Sequence, residues 1–212
     1  QALNKNTTGG LNTALGLNAL YNNTTSSQNT AVGHTALFAN TTGGFNTAMG
    51  YKAGEAVTTG SGNAFFGLRA GAGTTTGTAN TFIGGSSNSY VGFANTTGAN
   101  NTAVGTDALA ANTTASNNTA VGMDALDANT TGPANTAVGA GALTTNITGA
   151  DNTALGQNSL GLSTGGSNTG VGQSSLANTT GGSNTAIGRK SGDTLTTGGN
   201  NTLLGHDAQP SA

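Results

Sequence analysis

Apart from three tyrosines, the ionisable chemistry of this 212-residue chain amounts to two histidines, seven carboxylates and five basic residues. His34 and His206 stand alone at variable positions and read as surface histidines rather than metal ligands or general bases. The carboxylates are Glu55, Asp107, Asp124, Asp127, Asp151, Asp193 and Asp207, and they do not recur as a calcium-binding repeat would require. Asp107 and Asp124 have the spacing to stack on neighbouring rungs and hold a cation weakly, although solvation explains them more simply. A glycan hydrolase built on a β-helix would need paired carboxylates in a cleft, and no such pairing is visible. Gly165-Gly166 lacks the Lys-Ser/Thr of a phosphate loop. No cysteine is present, which excludes disulfides and thiolate metal sites. The Asn-x-Thr triplets at Asn6, Asn23 and Asn40 follow from a Thr that the repeat fixes for its own reasons. These residues point to a non-enzyme with no catalytic group, cofactor or metal.

One constellation does suggest recognition. Phe65 and Phe82 occupy a position that is usually Ala, in adjacent repeats, with Tyr90 and Phe93 following closely. Lys52 and Arg69 share one repeat position in neighbouring copies. Together these six residues form the candidate binding surface, because they break an otherwise uniform pattern. Filling of the core is the plain alternative for the aromatics.

The elements that must position these groups come from an internal repeat. The motif Asn-Thr-Ala-x-Gly begins at Asn12, Asn29, Asn46, Asn63, Asn80, Asn101, Asn118, Asn135, Asn152, Asn168, Asn184 and Asn201, mostly 17 residues apart. One interval is 21 residues, inserting four residues between Gly84 and Asn101 near 85–94, and two are 16. With that Asn as position 0, +1 is Thr in eleven copies, +3 is always apolar, +4 is always Gly and +7 is Ala or Ser. The alternation over +1 to +3 predicts a short strand, and Gly+4 a turn that uses positive φ. A second short strand is expected over Ala-Leu-x-x-Asn-Thr-Thr, with Thr-Thr-Gly closing the coil. Stacked coils place identical side chains about 4.8 Å apart, so the twelve Asn amides and the Thr hydroxyls should form ladders. Helix is excluded by the density of Gly, Asn and Thr. The fold class is therefore all-β: one repeat domain over residues 1–212, a solenoid of about twelve 17-residue coils.

Three copies depart together. Gly54, Gly71 and Gly192 replace the usual Leu at +8, and Val57, Thr74 and Leu195 replace the usual Asn at +11. The expectation is that +8 and +11 fill one space and exchange volume. Lys52–Glu55 and Lys190–Asp193 have the spacing of local ion pairs.

Only 6% of residues are charged and the net charge is −2, so nucleic acid is not an expected partner. No apolar run is long enough to span a membrane. Gln1 is not an initiator residue, so the chain reads as a processed product or a fragment.

The repeat Asn-Thr-Ala-x-Gly-x-x-Ala-Leu-x-x-Asn-Thr-Thr-Gly, as at Asn29 to Gly43, resembles the head repeats of trimeric autotransporter adhesins. It is also similar to repeats of bacterial and phage fibre (tail fibre) proteins. The 17-residue length departs from the shorter adhesin repeat. The resemblance implies a left-handed parallel β-roll, three chains per rod, display on the bacterial cell surface or a virion fibre, and attachment to a host-cell surface, glycan or other extracellular receptor. The residues add their own reason for a homotrimer. A lone coil holds few large apolar groups, so three chains are expected to share a core, with Ala+2 and Ala/Ser+7 admitting a neighbour. An ice-binding solenoid is the alternative from another class, weakened because the two Thr of Thr-Thr-Gly point to opposite sides of the backbone.

Overall fold

The computed structural model of the chain describes residues 1–210. Twelve three-residue strands, from β1 (Thr13–Leu15) to β12 (Thr202–Leu204), form one parallel sheet in sequence order. Each strand is positions +1 to +3 of one copy, paired with the same positions of the next, as in Thr13↔Thr30, Ala14↔Ala31 and Leu15↔Val32. The chain is an all-β parallel solenoid, with no helix among the described residues. Register survives the irregular coils: Thr81 pairs with Thr102 across the insertion, and Thr153 with Thr169 across a deletion. Length changes are absorbed in the turns.

The expected second strand does not form. Positions +5 to +10 are a chain of turns, because both +6 and +8 take positive φ. Asn18, Lys52, Asp107 and Asp124 do so at +6, and Leu20, Leu37, Leu109 and Leu126 at +8. The segment still links coils: the Leu20 N–H donates to the Ala36 carbonyl, and Asn22 to Phe38. Within the coil, Ala19 donates to Gly16 and Asn23 to Leu20, which folds the segment on itself. A left-handed Leu costs about 1–2 kcal/mol. Burying its side chain contributes about 1.5–3 kcal/mol, enough to hold it there.

The chain has a core of its own, which corrects the expectation that Ala+2 and Ala/Ser+7 admit a neighbouring chain. Ala+2 and Ala/Ser+7 do not face a neighbouring chain; they are buried inside, as at Ala31, Ala36, Ala120 and Ala125. The Leu+8 column lies between them. Two Asn columns close the ends of this thin interior. The Oδ1 of each Asn at position 0 accepts the backbone N–H of the Asn one coil on, as Asn46 Oδ1 does from Asn63 N at 3.0 Å. In most copies its Nδ2 reaches a carbonyl of the following coil, as Asn46 does to Gly60 O at 2.9 Å. Asn+11 forms a second ladder in the same sense, side chain to side chain, with Asn40 Nδ2 donating to Asn23 Oδ1 at 2.9 Å. A Thr ladder lies outside it; Thr41 donates its hydroxyl to the Thr58 carbonyl at 3.1 Å. Most polar repeat residues thus satisfy one another across coils, as buried carboxamides require; Asn40 Oδ1, Asn118 Nδ2 and Asn146 Oδ1 are the ladder atoms left without a partner among the described residues.

Gly+4 is fixed on two counts. Its φ is about +120° to +146°, and a β-carbon there would strike the next coil's backbone, as Gly122 would strike Gly139 O at 2.7 Å.

The paired exceptions have a different cause from the one expected. A β-carbon on Gly54 would lie 2.7 Å from Phe65, one on Gly71 2.5 Å from Phe65, and one on Gly192 2.7 Å from Leu203. The space vacated at +8 is taken by a large residue at +2, not by the residue at +11. Gly92 and Phe82 form a further case, at 2.5 Å.

Candidate functional site

The strand pattern sends +2 inward and +1 and +3 outward. That alternation separates the six residues proposed as a binding surface. Phe65 and Phe82 lie at +2, are fully buried, and stack with ring centroids 5.5 Å apart. They are core residues and form no part of any surface, because the missing +8 side chains make room for two rings inside the coil.

Tyr90, Phe93, Lys52 and Arg69 lie outside. The insertion leaves the coil through a turn in which Ser86 N–H donates to Ser89 O, and the chain rejoins the repeat at Tyr90. Gly71 donates to Val91 and Gly73 to Phe93, the bonds that +7 and +9 residues accept elsewhere. Tyr90 therefore stands in the +6 column and Phe93 in the +9 column. Their rings meet at 5.0 Å, and Phe93 is 38% exposed. The Arg69 guanidinium lies over Tyr90, 5.3 Å from its centroid. Asp107 Oδ1 accepts the Tyr90 backbone N–H at 2.8 Å, and the Tyr90 hydroxyl donates to Ser87 O at 2.9 Å. Lys52 precedes Arg69 in the same column, pairs with Glu55 at 3.0 Å, and lies 5.8 Å from the Tyr51 centroid. The second expected pair is not made: Asp193 instead accepts from Gln209 Nε2 at 2.7 Å.

On successive coils the +6 column thus reads Lys52, Arg69, Tyr90, Asp107, Asp124. Cations stand at one end, a ring in the middle and carboxylates at the other. Beside the acidic end, the Asp127 carboxyl is pushed above its ordinary range by burial, then by the charges of Asp107 and Asp124. No group of three His or acidic residues is arranged to hold a metal ion among the described residues. The row can bind through cation–π, aromatic and carboxylate contacts.

Sequence reasoning missed further stacks on the same face. Tyr21 and Phe38 stack at 5.5 Å, with Lys5 over Tyr21, and His34 stacks on Tyr51 at 5.3 Å. Each pair shares a repeat position in adjacent copies, and that signal would have found them.

The outward sheet face is the other unusual surface. Position +3 carries Leu15, Met49, Ile83, Val121, Leu155, Ile187 and Leu204 among others, and these seven are 36–76% exposed. They form an apolar stripe along the whole sheet, beside the Thr+1 column.

No family model, curated protein or solved structure matches this chain. Fold and repeat together place it in the class of parallel β-solenoid repeat proteins.

Proposed function

We propose that the chain is a non-catalytic rod segment of an extracellular fibre, on a bacterial surface or a virion, which assembles as a homotrimer and attaches to a surface glycan or receptor. The observation that carries this reading is the apolar +3 stripe. Monomeric soluble proteins rarely leave so long an apolar patch uncovered. Since each chain fills its own interior, copies would pack on the +1/+3 sheet faces. The turn faces, with the Lys52-to-Asp124 row, would then point outward three times over.

Labelled whole chain should bind cultured bacterial or eukaryotic cells saturably, and an Arg69→Ala/Phe93→Ala double variant should bind at least tenfold more weakly. Absence of saturable binding to either kind of cell would overturn the adhesive reading.

Ice binding is the second reading, and it draws on the same face, where Thr+1 points outward from a regular sheet. The Thr of Thr-Thr-Gly that stands first does not serve it, because its hydroxyl is donated to the next coil. Thermal hysteresis in the purified protein would favour ice binding over adhesion.

A further inference from the structure

Two coils in the second half of the rod lack side chains where others carry them. Position +6 is Gly141 and position +9 of the next coil is Gly161. Other coils carry a side chain at both positions, from Ser or Thr up to Lys and Arg at +6 and from Ala up to Tyr and Phe at +9. Both glycines line an open cleft of about 500 Å³ on the turn face, in which Asn158 Oδ1 packs against Gly141. That volume lies within the range of small-molecule sites.

The lining defines the chemistry. Asp124, Asn158 and Ser174 flank Gly141 in the +6 column, and Thr144 precedes Gly161 in the +9 column. Thr144 donates its hydroxyl to the Asp124 carbonyl at 3.3 Å, which fixes its oxygen as an acceptor. The Asp124 carboxylate, the Asn158 carboxamide and the Ser174 hydroxyl line the opening. Leu162, 60% exposed, and Ala177 supply an apolar patch. No Lys or Arg lines the cleft, and Asp107 and Asp127 stand near Asp124. An anionic ligand is repelled and a purely apolar one would strand four polar groups. A ring bearing several hydroxyls on one side and C–H groups on the other satisfies both sets.

We propose that this cleft binds one non-anionic sugar ring, its hydroxyls held by Asp124, Asn158 and Ser174 and its C–H face against Leu162 and Ala177. The site lies apart from the Arg69–Tyr90–Phe93 cluster. It rests on the surface-binding reading above and names a ligand class for it.

The test is saturation-transfer NMR and calorimetry on the whole chain, with N-acetylglucosamine, galactose, glucosamine and N-acetylneuraminic acid as probes. Gly161→Tyr refills the cleft with the residue that Tyr21 already supplies in that column, so the coil should tolerate it. Asp124→Asn removes the carboxylate without changing shape. The expected result is binding of at least one of the first three sugars, weakened at least tenfold by either substitution, with N-acetylneuraminic acid the poorest ligand. Sugar binding unchanged in Gly161→Tyr, preference for N-acetylneuraminic acid, or no sugar bound by a chain that still coats cells would each overturn the cleft and leave the adhesive reading standing. Failure of the unaltered chain to bind cells at all removes that reading itself.

Discussion

A β-carbon on Gly71 would stand 2.5 Å from the ring of Phe65. The ring occupies the space that Leu fills at the same repeat position in other coils, and it also covers Gly54 in the coil before. Large residue at +2 and glycine at +8 are therefore one substitution made in two places. Phe65→Ala should cost about 3–5 kcal/mol, as for other buried Phe deletions. Adding Gly71→Leu restores the Ala/Leu pairing of the common coil, at a φ of +60° that Leu already adopts at about +50° elsewhere. Urea denaturation should show the double variant more stable than Phe65→Ala alone. Equal stability would reject the exchange.

Gly122 tests the close approach of coils at +4. Gly122→Ala places a methyl group 2.7 Å from Gly139 O, at a φ of +134° that favours glycine. The expected loss is at least about 2 kcal/mol by denaturation. A neutral result would mean that neighbouring coils can part there without penalty.

Asn63 tests the ladder. It accepts from Asn80 N at 3.0 Å and donates to Asn46 Oδ1 at 3.1 Å and Gly77 O at 2.9 Å. Asn63→Ala should destabilise by about 2–4 kcal/mol, because it strands buried partners on both sides. Asn63→Asp keeps the shape but loses both donors and buries a charge, so it should be worse at neutral pH and recover in acid. An Asp variant as stable as the native chain at pH 7 would contradict the ladder's role.

The repeat period, the strand at +1 to +3 and the Asn column were legible because each is nearly invariant within the chain. The left-handed positions were harder. Leu at +8 carries no local preference for positive φ; its tertiary burial imposes it. A trace was present in the residues that replace it, Gly54, Gly71 and Gly192, and in the Asn and Asp at +6. Phe65 and Phe82 were misplaced because the missing Leu was matched with +11 rather than with +2. The case that would have corrected this, Gly92 with Phe82, was displaced in register by the insertion. The cleft beside Gly141 had no sequence signal except glycine at two positions that carry side chains in other coils, some as small as Ala72 and Ala110.

Asp127 gives a pH dependence with a definite sign. Its carboxyl is raised by burial and by Asp107 and Asp124, so the folded state holds its proton more tightly than the unfolded state. Stability should therefore fall as pH rises from the ordinary carboxylate value of 3.8 through the raised one, and the penalty is complete above it. Asp127→Asn should stabilise the chain at neutral pH, with the gain vanishing below about pH 4. Urea midpoints at the two pH values measure this. A gain that persists in acid would assign it to packing rather than charge.

In the proposed homotrimer, other copies of the chain cover the exposed +3 stripe. Multi-angle light scattering on the purified chain, with circular dichroism confirming β-structure, tests this directly. The expected mass is near three times the 20.2 kDa of one chain. A mass of 20.2 kDa with the fold intact, at every concentration examined, would contradict it.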